Sequence, residues 1–261
     1  MLVQFMVKNF LSFKDETILD MTAINAYKEH ESNLIDNGGK EKFLRVAAIY
    51  GANASGKSNL YLAMAYFQKI IVESLNNVYN RSETAVSRFY MPFLFEETSE
   101  NSEFQIIELI DDFEYKYGFE YNSDSVVTEW LYRKNLTTNR TSTIFERTSD
   151  KIEFGASVRK ECDAYKEQIP FETLALSFFN RLKLKTDIFR SVYSGIMDTL
   201  VVPSDFCENM QFLQDCLPTA IDNEKEKLTE FLAAIDTGIK DIFYDDSEND
   251  IKFFTVHTGK N

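Results

Sequence analysis

The sequence is poor in the residues that build metal sites and disulfide scaffolds. Its 261 residues include two histidines and three cysteines, Cys162, Cys207 and Cys216. The cysteines are odd in number and lack a C-x-x-C spacing, so neither a zinc site nor a disulfide framework is indicated. Free, reduced cysteines that are mostly buried suit a reducing compartment, and we assign none of them a functional thiol.

Long apolar runs and excess positive charge are missing as well. No apolar segment approaches the length that crosses a membrane, and the first residues lack the basic start and apolar stretch of a signal peptide. We therefore expect a cytoplasmic protein with no membrane partner. The formal net charge of −14 argues against an attraction of the whole surface to nucleic acid, so any such contact must be local.

Repeats and low-complexity tracts are also absent, which disfavours a solenoid. The chain does have apolar material, because 44% of its residues are hydrophobic, enough for one substantial core or a core with a smaller lobe. Two alternating segments, residues 3–7 and 17–21, predict a pair of strands joined by a polar turn. Residues 27–42 are polar and contain Gly38 and Gly39, so they predict a loop.

The sharpest motif is a phosphate-binding loop at residues 51–58, which read Gly-Ala-Asn-Ala-Ser-Gly-Lys-Ser. Glycines allow backbone N–H groups to close around phosphate oxygens, the lysine neutralises their charge, and the last hydroxyl completes a Mg²⁺ site. The helix that follows adds the positive end of its dipole. The motif therefore predicts that a nucleoside triphosphate binds here with Mg²⁺.

The flanking residues support this interpretation because they supply a strand before the loop and a helix after it. Residues 44–50 are an apolar run typical of a short buried strand. Leu60, Met64, Phe67 and Ile71 recur with the spacing of one helical face. Strand, loop and helix therefore come in the order that a phosphate-binding loop needs.

Beyond residue 87 the hydrophobic period changes to two, which predicts the hairpins of an antiparallel sheet. Five short runs rich in aromatic and β-branched residues are separated by turn residues, namely 104–110, 115–121, 126–133, 141–145 and 151–154. Residues 157–240 then become helical, and Pro170, Pro203 and Pro218 divide them into several helices. An acidic turn over residues 241–250 precedes an expected strand at residues 251–256.

These motifs resemble those of a known group of ATPases. Residues 51–60 resemble the Gly-x-Asn-x-Ser-Gly-Lys-Ser-Asn-Leu form of SMC and RecF type ATPases of the ABC superclass, and residues 9–13, Asn-Phe-Leu-Ser-Phe, resemble the hairpin that opens those proteins. Residues 92–132 look like the antiparallel lobe of the AAA/ABC-like ATPases of abortive-infection and related phage-defence modules. These include the AbiL and RloA groups, near relatives of the OLD family.

The resemblance implies an α/β fold, the amino-terminal part of an ABC-type P-loop NTPase head with an antiparallel β lobe and a helical insertion. The implied domains are an incomplete nucleotide-binding core at residues 1–80, the β lobe at 81–156, the helical insertion at 157–240 and a strand returning toward the core at 241–261. ATP and Mg²⁺ are the implied cofactors, with Ser58 as the metal ligand and Lys57 bridging the β and γ phosphates. The residues implied to contact the nucleotide are Gly51, Asn53, Ser55, Gly56, Lys57, Ser58 and Asn59.

The resemblance also implies partners and an output. ATP binding and hydrolysis control the association of ATPase heads into a homodimer or higher oligomer, because the γ-phosphate holds two heads together and its loss releases them. The implied setting is a bacterial anti-phage defence or DNA-maintenance system with a nuclease or toxin as effector. Downstream of the insertion, relatives carry a Ser-Gly signature, an apolar strand ending in Asp-Glu and usually a switch histidine, and none of these is found. Residues 253–261 resemble the strand before the signature, so hydrolysis is expected of a longer protein rather than of this chain alone.

Two other functions remain open from the sequence. The first is a nucleotide-responsive binding or assembly module that never hydrolyses ATP, with residues 83–240 as its functional surface. The second, less well supported, is a small-molecule or nucleoside kinase, since such enzymes rarely place a long antiparallel lobe directly after the first helix.

Several polar residues outside the loop are candidates for supporting the metal, activating water or binding nucleic acid. Acids follow apolar runs at Asp111 and Asp112 and at Asp245 and Asp246, but Glu108 interrupts the first run and polar residues continue the second, so turns are the better interpretation of both. Gln68 and Gln105 are interpreted as structural or exposed. Nucleic-acid contact is a hypothesis for two basic groups, Arg133, Lys134, Arg140 and Arg147, and Arg181, Lys183, Lys185 and Arg190.

Overall fold

The computed structural model describes residues 1–24, 30–36, 41–53, 55–75, 84–94, 101–200, 206–234, 239–245 and 252–257. Its internal contacts divide the chain into two compact units, Met1–Val202 and Pro203–Asn261. Among the described residues, no helix combines the length and the apolar character needed to cross a bilayer.

An antiparallel sheet forms the centre of the first unit. Its strands are β1 (Leu2–Lys8), β2 (Thr17–Asp20), β5 (Ser102–Ile110), β6 (Phe113–Tyr121), β7 (Val126–Asn135), β8 (Thr141–Thr148) and β9 (Ile152–Phe154). Within this seven-stranded sheet the order is β2-β1-β5-β6-β7-β8-β9, and every neighbouring pair is antiparallel. The strand pair and the five hairpin strands predicted from the alternation are therefore confirmed.

Helices cover one face of this sheet. The helices of the first unit are α1 (Lys57–Glu73), α2 (Ala85–Arg88), α3 (Arg159–Cys162), α4 (Ala175–Asn180) and α5 (Ile188–Thr199). The helix predicted after the phosphate-binding loop is confirmed as α1, and its buried residues include Phe67 and Ile71. The Phe67 ring lies 5.6 Å from the rings of Phe5 in β1 and Phe119 in β6, so aromatic packing joins the helix to the sheet.

The described residues of the second unit form one helical element and one hairpin. The helix α6 (Phe206–Ala234) is followed by β10 (Ile239–Asp245) and β11 (Lys252–His257), which pair antiparallel. An ion pair of 2.9 Å joins Lys225 of α6 to Asp241 of β10. The strand expected at residues 251–256 is β11.

The buried strand predicted at residues 44–50 is wrong. A small hairpin of β3 (Leu34–Asp36) and β4 (Lys42–Leu44) ends at Leu44, and residues 45–50 are exposed and outside any strand. Within the described part of the chain no strand pairs with residues 45–50. The Arg45 N–H donates to the Asn33 carbonyl oxygen over 2.9 Å, next to the small hairpin.

Three further predictions need correction. The loop predicted at residues 27–42 contains β3 and the start of β4, while residues 25–29 and 37–40 lie outside the described ranges. Pro218 lies inside α6, whose backbone departs from helical geometry at Glu224, with φ −139° and ψ 32°. The acidic turn predicted at residues 241–250 is strand β10 as far as Asp245, because its residues alternate and pair with β11.

The predicted domain boundaries remain predictions. In the structure β1 and β2 share one sheet with β5–β9, although the predicted boundary at residue 80 would separate them. Register explains the pairing, since Phe5 lies opposite Ile106 and Val7 opposite Phe104, which places their apolar side chains in a common core.

Candidate nucleotide site

The phosphate-binding loop ends where α1 begins. Gly56 is the N-cap residue, with φ 91° and ψ 3°, in the left-handed region that glycine adopts without strain. The Leu60 N–H donates to the Gly56 carbonyl over 3.0 Å and closes the first helical turn. A β-carbon on Gly56 would lie 3.0 Å from Ser12 Oγ. A side chain at this position would therefore strain the backbone and crowd Ser12.

Lys57 folds back over the loop that precedes it. Its Nζ donates to the carbonyl oxygens of Gly51 at 2.9 Å and of Ala52 at 2.7 Å. The positive charge is therefore held against the loop backbone, which is where a phosphate-binding loop uses its lysine.

The loop is tightly folded on itself. A β-carbon on Gly51 would approach Ser55 Oγ to 2.8 Å, so this glycine permits a close approach that another residue would obstruct. Asn53 lies in an exposed turn, and Ala54 lies outside the described residues. A cavity of about 230 Å³ adjoins the loop and is lined by Ser55, Gly56, Lys57, Ser58 and Asn59.

The first turn of α1 suits a phosphate group with its Mg²⁺. The first N–H groups of an α-helix have no partner within the helix, and no side chain caps this end. There is no acidic residue in the first turn to compete with an anion. The Ser58 hydroxyl is exposed beside Lys57 and is the group that would hold Mg²⁺.

A tight turn from the amino-terminal hairpin lies against the loop. Phe10 and Phe13 exchange two N–H···O bonds of 2.8 Å. The Asn59 side-chain amide, in the first turn of α1, donates to Ser12 Oγ over 2.7 Å. The hairpin and the loop, both singled out from the sequence, are therefore neighbours in space.

A mixed α/β fold with a phosphate-binding loop at the start of a helix, packed on a large sheet, fits a P-loop NTPase. Residues 46–209 match the sequence profile of the family described as "AAA domain, putative AbiEii toxin, Type IV TA system". This chain belongs to that family. The match covers more than half of the 261 residues and includes the loop and α1. A comparison with curated proteins gave no match.

In this member of the AAA-type ATPase family, the first pair of candidate acids is a hairpin turn. Asp111 and Asp112 connect β5 to β6, and Asp111 has φ 51°. The turn interpretation is confirmed. Ser102, at the opposite end of β5, donates to the Asn9 carbonyl beside the loop, so the acids lie about 26 Å along the strand from that end.

Glu108, the residue that interrupts the apolar run of β5, is a buried carboxyl group. Its side chain is 1% exposed, and within the described part of the chain its Oε1 has no hydrogen-bond partner. Burial raises the pKa of Glu108 to about 8, against the opposing effects of the positive amino terminus and the Thr199 hydroxyl. Glu108 lies under α5, where a β-carbon on Gly195 would be 3.0 Å from Oε1.

The other candidates have structural explanations. Asp245 ends β10 and is exposed, and Asp246 lies outside the described residues. The Gln68 side-chain amide of α1 donates to the Met197 carbonyl of α5 over 3.5 Å, and Gln105 is half-buried in β5.

The cysteines differ in exposure. Cys162 is buried, which raises the pKa of its thiol to about 12 and disfavours the reactive thiolate. Cys216 is exposed. The burial of Cys207 lies outside what the structure describes, so the expectation that the cysteines are mostly buried stays a prediction.

The first basic group is largely occupied within the protein. Arg147 is buried and donates to the carbonyl oxygens of Thr173 and Pro170. The Arg133 guanidinium carbon lies 4.7 Å from the centre of the Phe113 ring. Lys134 pairs with Glu114 and Arg140 is exposed, while the second group, Arg181, Lys183, Lys185 and Arg190, is exposed throughout.

Ser12 and Glu129 are the residues that sequence reasoning did not single out. Ser12 was noted only as part of the hairpin motif, and its partner Asn59 is 47 positions away. Glu129 is buried in β7 and accepts hydrogen bonds from the N–H groups of Ala175 and Leu176 at the start of α4. No local periodicity indicates such contacts, because they depend on how the sheet and helices pack.

Proposed function

We propose that this chain binds ATP together with Mg²⁺ at residues 51–58. The observation that carries the proposal is the position of Lys57, whose ammonium group lies on the Gly51 and Ala52 carbonyl oxygens of a loop that turns into a helix at Gly56. Membership of the AAA-type ATPase family supports the same nucleotide class.

Each site residue has a distinct role in the proposal. The loop backbone lines the phosphates at Gly51, Asn53, Ser55 and Gly56. Asn59 is the remaining residue that we place in contact with the nucleotide. Lys57 stabilises negative charge on the β and γ phosphates, and Ser58 holds the metal. When bound, Mg²⁺ neutralises charge on the phosphate oxygens.

The proposed output is ATP hydrolysis coupled to the association of ATPase heads of the SMC, RecF and OLD type. The exposed residues before the loop support such an association, since Val46 is 78% and Tyr50 is 92% exposed and exposed apolar side chains are typical of interaction surfaces.

The proposed setting is the cytoplasm, in an anti-phage defence or DNA-maintenance system of the abortive-infection type. The family description connects this domain with a toxin–antitoxin system, which supports a toxin or nuclease as the effector. In this proposal residues 157–240 are the helical insertion of an ABC-type head, and contact with nucleic acid stays a hypothesis.

The second candidate is a nucleotide-responsive module that binds ATP without hydrolysing it. The observation that favours it is the location of the candidate acids, because Asp111 and Asp112 form a turn remote from the loop and Glu108 is buried under α5. Hydrolysis needs a carboxylate or an equivalent group to orient water near the γ-phosphate.

Equilibrium binding of ATP with Mg²⁺ tests the site. Lys57→Ala is expected to weaken binding by about 10- to 100-fold, since one charge-assisted hydrogen-bonding group is lost. Lys69→Ala removes a lysine from the same helix away from the loop and is expected to bind as the unaltered chain does. Equal affinities in the unaltered chain and Lys57→Ala would contradict the proposed site.

Release of phosphate from ATP separates the two candidate functions. Turnover that disappears in Lys57→Ala supports an ATPase, whereas binding without turnover favours the non-hydrolysing module. Adding a second polypeptide that carries the Ser-Gly signature and the Asp-Glu strand is expected to raise turnover only if this chain is an ATPase head.

A further inference from the structure

We propose that Ser12 is a positioning residue for the nucleotide site, acting through Asn59 on the first turn of α1. This inference rests on the proposed function of residues 51–58. It adds to the site a side chain from a turn that the phosphate-binding motif does not include.

The contact is direct and close. The Asn59 amide donates to Ser12 Oγ over 2.7 Å, and the same oxygen lies 3.0 Å from where a β-carbon on Gly56 would stand. Ser12 is therefore in contact with both the last loop residue and the first helical turn. Lys57 and Ser58 lie between these two residues in the chain, so Ser12 lies beside both ends of the segment that carries them.

The Phe13 ring takes part in this contact. Two of its carbons, Cε1 and Cζ, would lie 3.5 and 3.6 Å from a β-carbon on Gly56. The turn therefore presents a hydroxyl group and an aromatic ring to the glycine.

The turn that carries Ser12 is itself firmly held. The Leu11 N–H donates to the Met91 carbonyl over 2.8 Å, and the Phe93 N–H donates to Asn9 Oδ1 over 3.0 Å. The Ser102 hydroxyl donates to the Asn9 carbonyl over 2.6 Å at the start of β5. The turn that carries Ser12 is thus fixed to β5 and to residues 91–93, and it supplies a fixed hydrogen-bond acceptor for the Asn59 side chain.

The backbone of the turn is also unusual. Asn9 and Leu11 both have φ 49°, in the left-handed region that residues other than glycine seldom adopt. Such geometry persists where surrounding contacts enforce it. The enforced turn directs Ser12 toward the loop.

The expected consequence concerns the metal more than the phosphates. Backbone N–H groups of the loop can contact phosphate without Ser12, whereas the Ser58 hydroxyl needs a fixed first turn to hold Mg²⁺. Loss of the Ser12 hydroxyl therefore weakens the increase in ATP affinity that Mg²⁺ provides. Binding of ATP in the presence of a chelator changes little.

The experiment is ATP binding with Mg²⁺ and with chelator for the unaltered chain, Ser12→Ala and Ser12→Thr. In Ser12→Ala the affinity with Mg²⁺ should fall by about three- to tenfold, the effect of one hydrogen bond, while the affinity with chelator stays within about twofold. Ser12→Thr keeps the hydroxyl and should restore the Mg²⁺ effect. Thr17→Ala removes another hydroxyl from the same hairpin, at a half-buried position whose hydroxyl donates to the Asp15 carbonyl and not to α1, and should bind normally.

A double-mutant cycle with Asn59→Ala tests the route of the effect. Because Ser12 acts through Asn59, adding Ser12→Ala to Asn59→Ala should cause no further loss of affinity with Mg²⁺. Additive losses would overturn the inference, and so would equal behaviour of Ser12→Ala and Thr17→Ala in a chain that binds ATP. Failure of the unaltered chain to bind ATP would overturn the proposed function itself, and this inference with it.

Discussion

At the scale of single residues, two buried glutamates differ in the hydrogen-bond donors that surround them. Glu129 is surrounded by donors, namely the Ala175 and Leu176 N–H groups and the Tyr117 hydroxyl, with Arg147 at 3.6 Å. Glu108 has the Thr199 hydroxyl at 3.4 Å and an Oε1 without a partner among the described residues. Burial raises the pKa of both. At Glu129 this effect is opposed by Arg147, two backbone N–H groups and the Tyr117 hydroxyl, and at Glu108 by the positive amino terminus and the Thr199 hydroxyl.

Glu108→Gln is expected to remove a pH dependence of stability. Because the pKa of Glu108 in the folded chain is about 8 and its ordinary value is 4.5, folding favours the protonated form. Its contribution to stability is complete below pH 4.5 and is lost as the pH rises toward 8, by up to about 1.4 kcal/mol per pH unit. Glutamine stays neutral, so the variant should gain stability relative to the unaltered chain between pH 6 and about 8.

Thermal unfolding between pH 5 and about 8 measures this difference. Glu120→Gln, at a half-buried position of the neighbouring strand β6, serves as the control and should follow the unaltered chain. Parallel pH profiles for Glu108→Gln and the unaltered chain would show that Glu108 keeps an ordinary pKa.

At the scale of elements, Glu129 joins a strand to a helix. It caps the start of α4, which has no side-chain cap of its own, from β7. Arg147 of β8 extends the connection, because it donates to the Thr173 and Pro170 carbonyl oxygens just before α4. One buried network therefore fixes α4 on the sheet, and α4 in turn contacts α1.

Glu129→Ala is expected to lower the free energy of unfolding by about 3 to 5 kcal/mol, because Arg147 and two helical N–H groups lose a buried partner. Urea denaturation measures the change. Glu146→Ala removes an exposed glutamate from neighbouring strand β8 and should cost less than about 1 kcal/mol. A similar small loss in both variants would mean that water replaces Glu129 in the network.

Individual helices and strands could be predicted well from the sequence, whereas the elements that pair with them could not. The alternation of Phe104 and Ile106 indicated β5, and the helical spacing of Phe67 and Ile71 indicated α1, because side-chain burial follows the backbone period directly. Residues 44–50 have the composition of a buried strand, yet 45–50 remain exposed. A strand needs a neighbour, and sequence pattern alone does not supply one.

At the scale of the whole molecule, the phosphate-binding loop was the part of the site that sequence could locate. Local backbone geometry determines which residue types the loop needs, as at Gly56, so a short stretch of sequence is enough to recognise it. The hydrogen bond between Ser12 and Asn59, in contrast, joins positions 47 residues apart. Such contacts follow from topology, which the motif does not encode.

The most direct test of the central claim is amide hydrogen exchange across the chain with and without ATP and Mg²⁺. Binding at the proposed site predicts slower exchange at residues 51–60, because the first N–H groups of a helix have no partner within the helix and can donate to phosphate. No such change is expected in Lys57→Ala. Unchanged exchange at residues 51–60 while protection appears elsewhere, for example in the cavity that Asp20, Leu34 and Val46 line, would contradict the account.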